Sequence, residues 1–109
     1  MAQSEYPADR PARLGSASEQ TNRKVVLLKS VAHPIRLSIL STLARGPTHV
    51  GALAAGLDIP QPIVSQQLRV LRMTGVVSVD RRDGFAVYSL REPQLRALLN
   101  CIENCCREP

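Results

Sequence analysis

The chain has 109 residues and a mass of 11.9 kDa, which is enough for one small domain. Apolar residues make up 44% of the sequence, and no apolar run is long enough to predict a membrane span. Because the first twenty residues contain no apolar core typical of a secretory signal, we expect a cytoplasmic location.

The charge balance favours an acidic partner. A net charge of +5 and a pI near 9.7 make nucleic acid the first candidate. The excess lies in residues 60–91, which contain five Arg and two Asp, whereas residues 92–109 contain two Arg and three Glu. Aromatic residues are only 3% of the chain, so the stacking platforms that bind single strands are not expected. The sequence therefore predicts a basic face on the folded part of the chain.

The first part of the chain predicts an arm followed by helices. Residues 1–21 are rich in Ser, Ala, Pro and Arg without an apolar period, which favours a flexible arm. The folded domain is expected over residues 22–109. Its first helix begins near Asn22, and its second begins at Pro34, a residue favoured in the first helical turn. Gly46-Pro47 ends the second helix.

Two further helices are predicted before the pattern changes. Thr48 is expected to cap a short third helix that ends at Gly56. After a turn at residues 58–60, a fourth helix is expected over residues 61–73, and Gly75 lies just beyond its end. Its inward residues are Val64, Leu68 and Leu71. The third and fourth helices, joined by a tight turn, have the arrangement of a helix-turn-helix.

The last third of the chain predicts a hairpin and a final helix. The apolar period changes from 3.6 to 2, which predicts strands over residues 77–79 and 86–90 with Asp83-Gly84 as the turn signal. A last helix begins after Pro93. Its apolar stripe contains Leu95, Leu98, Leu99 and Ile102, and we expect this stripe to be exposed until a partner covers it. The predicted fold is mainly α with a β-hairpin (α+β), a winged helix-turn-helix in the order α-α-α-α-β-β-α.

The candidate DNA-reading residues lie on the fourth helix and at the hairpin tip. In a helix-turn-helix, the first turns of the second helix present side chains to base edges. The candidates are Gln61, Ile63, Ser65, Gln66 and Arg69 on the helix, and Arg81 and Arg82 at the tip. Gln suits adenine, Ser suits a base or a phosphate, and Ile63 suits a thymine methyl. Arg69 is interpreted as a phosphate anchor, and the tip as a wing that contacts the minor groove or the backbone.

Three cysteines lie within the last nine residues, namely Cys101, Cys105 and Cys106. An odd number of Cys without a signal peptide does not indicate a disulfide framework. Cys101 and Cys105 are neighbours at i, i+4, whereas Cys106 points about 100° away from Cys105 while the helix is intact. Soft ions prefer thiolates, and arsenic(III) or antimony(III) takes three sulfurs, whereas zinc prefers four ligands. We therefore predict a three-cysteine site whose closure distorts the end of the helix.

The sequence resembles the ArsR/SmtB family of metal-sensing bacterial repressors. The resemblance is carried by VAHPIRLSILSTLARG over residues 31–46 and VGALAAGLDIPQPIVSQQLRVLRMTGVVSVDRRDGFAVYSL over residues 50–90. It implies a homodimer formed through the terminal helices, binding to a near-palindromic operator in double-stranded DNA, and release when an ion binds. Glu103-Asn104-Cys105-Cys106 is similar to the last-helix cysteine pair of arsenite-responsive members, with Cys101 as the third ligand. The inducer implied is arsenic(III) or antimony(III), with no organic cofactor.

Other sensing sites of this family are absent from the sequence. The third-helix Cys-x-Cys motif is replaced by residues without Cys, and residues 94–107 contain no His for the last-helix zinc site. The second helix has no Cys that could pair with the last helix, as in persulfide sensors. His33 and His49 have no ligand partner at i+3 or i+4 and are interpreted as structural.

Three alternatives remain beside the metalloid-responsive repressor. A thiol-based redox or persulfide-responsive repressor of the same fold is the first, and a DNA-binding module without an inducer is the second. An enzyme is the third and is disfavoured, because no His lies near the cysteines in sequence and no Gly-rich phosphate loop or carboxylate pair is present.

Overall fold

The computed structural model describes the backbone of residues 14–105 and the side chains of residues 18–105. Within these residues it contains five α-helices and three β-strands. In chain order they are α1 (Leu14–Val31), α2 (Pro34–Leu43), β1 (Thr48–His49), α3 (Val50–Leu57), α4 (Gln61–Met73), β2 (Val77–Arg82), β3 (Phe85–Leu90) and α5 (Pro93–Cys105). The predicted winged helix-turn-helix fold, four helices followed by a hairpin and a last helix, is confirmed, with β1 as an addition.

The core lies between α2, α3 and α4 and is closed by α5. Its fully buried members are Ile39, Leu40, Leu43, Leu53, Val64, Leu68, Leu71 and Val76. Leu95 and Leu99 of α5 are 2% exposed and pack against the same cluster. The apolar residues that were expected to face inward on α4 are therefore buried, because their spacing places them on one side of the helix.

Helix α1 is longer than the sequence predicts. It begins at Leu14, whereas the apolar pattern indicated a start near Asn22. Residues 18–26 are all exposed, so no buried apolar face marks this part of the helix in the sequence. Residues 14–21 are therefore helical rather than part of the expected arm, and residues 1–13 lie outside the described part of the chain.

Both histidines cap helices. Nδ1 of His33 accepts a hydrogen bond from the backbone N–H of Ile35 at 3.2 Å at the start of α2. Nδ1 of His49 accepts one from the backbone N–H of Ala52 at 3.2 Å at the start of α3. Each ring satisfies a backbone donor that the helix itself leaves unpaired. The structural interpretation of the two histidines is confirmed, whereas the prediction that Thr48 caps α3 is wrong, because α3 begins at Val50 and its N-cap is His49.

Helix α3 ends one residue later than expected. Helix α3 continues through Gly56 to Leu57. Asp58 then takes a left-handed conformation with φ 56°, and its N–H donates to the carbonyl of Ala54. An acidic residue in this conformation performs the role that the sequence suggested for Gly56, because Asp tolerates positive φ better than most residues. The predicted turn over residues 58–60 is present.

The strands form a three-stranded antiparallel sheet in the order β1-β3-β2. The hairpin pairs from Val77 with Leu90 to Arg82 with Phe85. The turn is Asp83-Gly84, and both residues have positive φ, 53° and 82°, as in a tight two-residue hairpin. The strands extend further toward the turn than the apolar alternation indicated. The sequence pattern missed their outer residues because these residues are exposed and do not alternate.

Among the described residues, no single helix is long and apolar enough to cross a membrane, and the one pair that reaches these limits together, Ser18–Val31 with Pro34–Leu43, is bent by 94°.

Candidate functional site

Helix α4 presents a polar face directly opposite its buried face. Val64, Leu68 and Leu71 are fully buried and fix the helix on the core. The predicted reading residues of α4 are all exposed: Gln61, Ile63, Ser65, Gln66 and Arg69. Because the buried face is rigidly packed, the exposed side chains project from a helix whose position is set by the core. The structure therefore leaves all five candidates accessible to solvent on α4.

Arg36 connects α4 to the first two helices, a role that no sequence pattern indicated. Its guanidinium donates to Oε1 of Gln67 on α4 at 3.2 Å. It also donates to the carbonyls of Ser30 at 3.3 Å and Lys29 at 3.2 Å, near the end of α1. One planar group with several donors can make these bonds together. Arg36 is thus a structural clamp that joins α2 to the end of α1 and to α4.

The predicted wing residues lie at the end of β2 rather than within the turn. Arg81 and Arg82 are exposed, and Nε of Arg82 lies 3.5 Å from Oδ2 of Asp80. Arg81 and Arg72 of α4 line one surface cleft of about 490 Å³. Phe85 opens β3 and is 57% exposed, a feature that the sequence did not single out. The wing therefore offers two cations and one aromatic ring to the solvent.

The described residues include two of the three clustered cysteines. Cys101 and Cys105 are both exposed on α5, one helical turn apart, as the i, i+4 spacing indicates. Cys106 lies outside the described residues. Within the described part of the chain, no group of three or more His, Cys, Asp or Glu side chains could hold a metal ion. The complete three-cysteine site therefore stays a prediction.

Polar contacts connect α5 to the end of α2 beside these cysteines. Nη1 of Arg96 donates a hydrogen bond to the carbonyl of Ala44, the C-cap of α2. Nη2 of Arg45 lies 4.0 Å from Oε2 of Glu103, and both side chains are more than half exposed. A surface cleft of about 430 Å³ lies between the two helices. Exposed ion pairs of this kind add little stability, so the second half of α5 is held less firmly than α4.

The apolar surfaces of the two terminal helices differ from the expectation. The stripe of α5 was expected to be exposed until a partner covers it, but Leu95 and Leu99 are buried within the protomer itself. The exposed apolar residues lie instead on α1. They are Val25, Val26 and Leu28, at 39%, 41% and 54% exposure. Two residues of the α5 stripe thus belong to the core of the protomer, and α1 is the terminal helix whose described residues leave large apolar side chains exposed.

A helix-turn-helix with an exposed polar second helix, flanked by a basic hairpin, defines a winged helix-turn-helix protein. Residues 33–79 match the family described as bacterial regulatory protein, arsR family. The chain is 38% identical over 103 residues to the biofilm growth-associated repressor of Agrobacterium fabrum, and the aligned region covers 90% of this chain and 88% of that protein. The chain therefore belongs to the arsR family of bacterial regulatory proteins.

Solved structures of similar proteins have the same fold. The transcriptional repressor BigR from Xylella fastidiosa superimposes with a TM-score of 0.78 at 34% identity, covering 87% of this chain and 97% of that one. Reduced HlyU from Vibrio cholerae gives a TM-score of 0.78 at 28% identity, with 85% and 98% coverage. The family resemblance seen in the sequence is thereby confirmed. The prediction that the chain is not an enzyme is confirmed as well, because this family consists of regulatory proteins.

Proposed function

We propose that the chain is a transcriptional repressor that binds a near-palindromic operator in double-stranded DNA as a homodimer. The observation that carries this proposal is the exposed polar face of α4, which lies opposite a fully buried apolar face. Gln66 and Ser65 supply groups that read base edges, and Arg69 supplies a phosphate anchor. The names of two similar proteins, a biofilm growth-associated repressor and the repressor BigR, support repression.

The dimer is proposed to form through α1 and α5. Exposed Val25, Val26 and Leu28 on α1 form a surface that a second copy would remove from water. One subunit then reads one half-site, so the two half-site centres lie about 34–36 Å apart along the DNA. Hydroxyl-radical footprinting on DNA from upstream of the gene should show two related protected regions at this spacing. A single asymmetric protected region would contradict the dimeric repressor.

We further propose that the inducer is arsenic(III) or antimony(III), bound by Cys101, Cys105 and Cys106. Two of these thiols are exposed and lie one turn apart on the same helix, which leaves them accessible to a small ion. Three sulfur ligands suit these soft ions, and the cysteines are the only soft ligands in this part of the sequence. When bound, the ion supplies bonds to sulfur that draw the three cysteines together.

Release from DNA is proposed to follow from a change at the end of α5. Glu103 lies between the two described cysteines in sequence, and its carboxylate is 4.0 Å from the guanidinium of Arg45. A distortion of the last turn therefore changes the contact between α5 and the end of α2. Because α5 is also proposed to lie at the dimer contact, the same distortion alters the spacing of the two α4 helices.

A second candidate is a repressor that responds to thiol oxidation or persulfide. The observation that favours it is the likeness to HlyU from Vibrio cholerae, whose structure is described as that of the reduced protein. The exposed thiols of Cys101 and Cys105 suit this chemistry as well as they suit a soft ion. The cysteine cluster is therefore the sensor in both candidates, and only the inducer differs.

Fluorescence anisotropy of labelled operator DNA separates these candidates. The reduced protein is bound to the DNA and titrated in parallel with arsenite, zinc, a disulfide-forming oxidant and a persulfide donor. Release at near-stoichiometric arsenite, with none by zinc, is the result expected for the first candidate. Release by the oxidant or the persulfide donor alone supports the second candidate. If no compound releases the DNA, the chain is a DNA-binding module without an inducer at these cysteines.

A further inference from the structure

On one side, the hairpin is supported only by a very short strand that ends before the outer half of the wing. Strand β1 contains two residues, and its last residue, His49, pairs with Val87 of β3. Beyond that pair, the described chain provides no third strand beside β3, so residues 85 and 86 pair only with β2. A two-stranded ribbon is only marginally stable in water. The end of the hairpin that carries Arg81 and Arg82 therefore needs another contact to be held in place.

The ring of His49 supplies that contact. It stacks on the ring of Phe85, with centroids 5.1 Å apart and an angle of 24° between the ring planes. Phe85 lies two residues before Val87 on the same strand, so it is the diagonal neighbour of His49 on one face of the sheet. Diagonal neighbours of this kind are within reach of aromatic side chains. The stack thus extends the support of β1 to the first residue after the turn.

The same ring is fixed on its other side to the helix-turn-helix. Nδ1 accepts the backbone N–H of Ala52, so the ring also forms the N-cap of α3. Gly51 lies against the ring, since a Cβ added there would lie 3.4 Å from Nδ1 and Cε1 of His49. His33 caps α2 with the same kind of bond to Ile35, so capping alone does not account for the position of His49 beside the wing. Only one of the two capping histidines stacks on an aromatic ring within the described residues.

We propose that His49 is a positioning residue for the wing, linking the N-terminus of α3 to the hairpin by capping with Nδ1 and stacking on Phe85. This inference rests on the proposed function, because it gives the wing its orientation toward DNA. A wing that is already ordered in the free protein loses less conformational entropy when it binds. His49 contributes through Phe85 to the placement of Arg81 and Arg82, and it need not touch the DNA itself.

Two substitutions separate the two tasks of the ring. His49→Asn retains a side chain that can cap α3 but removes the stack, whereas His49→Phe retains the stack and removes the cap. We expect His49→Asn to weaken operator binding about threefold to tenfold, the range that corresponds to loss of one aromatic pair. We expect His49→Phe to lower the melting temperature but to bind the operator nearly as well as the wild-type chain. His33→Asn is the matched control and should leave operator binding unchanged.

A second pair of variants tests whether the effect passes through Phe85. Phe85→Leu should weaken operator binding to the same extent as His49→Asn. The double variant should be no weaker than either single variant, because both remove the same contact. Additive losses in the double variant, or equal losses for His49→Phe and His49→Asn, would overturn the positioning role.

Measurements on the free protein separate this inference from the proposed function. Backbone ¹⁵N order parameters for residues 83–86 should fall in His49→Asn and Phe85→Leu and remain unchanged in His33→Asn. Unchanged order in both stacking variants contradicts the inference even if the protein binds DNA as proposed. If the double variant Arg81→Ala/Arg82→Ala binds the operator as tightly as wild type, the wing contact predicted from the sequence is wrong. The order parameters then still decide whether His49 holds the hairpin.

Discussion

Helix α4, which is proposed to read the DNA, and the cysteine-bearing end of α5 are held in opposite ways. Helix α4 has three fully buried residues on one face and is clamped by Arg36, whose guanidinium reaches both α4 and the end of α1. The last two turns of α5 carry exposed cysteines and an exposed ion pair between Arg45 and Glu103. The surface proposed to match the shape of DNA is thus held firmly, whereas the surface proposed to close around an inducer is easily distorted.

This difference places the two proposed tasks in separate parts of one small fold. Leu95 and Leu99 anchor the first half of α5 in the core, so a change at its end does not require the core to unfold. The contact of Arg96 with the carbonyl of Ala44 further joins the first turn of α5 to the C-cap of α2. The division can be tested by substitutions in each region, which should affect stability, DNA binding and induction separately.

The largest expected effect is on stability, from the core beneath the reading face. Leu68→Ala removes a fully buried side chain of α4 and should lower the free energy of unfolding by about 3 kcal/mol. Urea denaturation followed by circular dichroism measures this loss. Met73→Ala, on the same helix but at 77% exposure, is the control and should have almost no effect. Equal losses for the two variants would show that α4 is not anchored as described.

The next effect is on base recognition. Gln66→Ala should weaken operator binding by about 1–3 kcal/mol if the amide reads a base, with no change in the unfolding free energy. Anisotropy on operator and scrambled DNA measures the loss, which should be confined to the operator. Gln94→Ala removes an exposed glutamine from α5 and serves as the control. A loss that is equal on both DNAs would assign Gln66 to the phosphate backbone instead.

Arg69→Ala should weaken binding to all sequences alike. A phosphate contact contributes to counterion release, so the slope of log K against log salt should fall in magnitude by about one. Salt titrations on specific and non-specific DNA measure this slope. Lys24→Ala removes the same charge from an exposed position on α1 and should leave the slope nearly unchanged. A slope that does not move in Arg69→Ala would exclude a phosphate contact for this residue.

The smallest expected effect is at the loosely held end of α5. Glu103→Gln removes the charge that faces Arg45, and the free energy of unfolding should change by less than about 0.5 kcal/mol, since both side chains are exposed. Urea denaturation measures the change, beside Glu19→Gln on exposed α1 as the control. A loss as large as that of Leu68→Ala would mean that this end of α5 is part of the rigid unit.

Burial explains why much of the fold could be predicted from the sequence. The spacing of Val64, Leu68 and Leu71 reflects the buried face of α4, and the exposed candidates follow as the remaining positions. Asp83-Gly84 supplies the positive φ values that the hairpin requires. Each of these features is a local rule with a clear physical cause, so the sequence alone is sufficient to state it.

Other features depend on contacts that are distant in sequence. Strand β1 is two residues long and exists because β3 lies beside it, which no local pattern reveals. The cap of α3 is His49 rather than Thr48, because α3 begins at Val50 and His49 is the residue directly before it. Arg36 bonds to Gln67, 31 positions away, and a charge count cannot distinguish such a clamp from a DNA-binding residue.

The cysteines are proposed to control release and to take no part in DNA binding. The anisotropy of labelled operator, measured with and without arsenite, tests this for wild type and for Cys101→Ser/Cys105→Ser/Cys106→Ser. We expect equal operator affinity for both proteins without arsenite, and release by arsenite from wild type only. Release from the triple variant at the same arsenite concentration would contradict control by the cysteines, and loss of its DNA binding before any arsenite is added would show that the cysteines take part in binding.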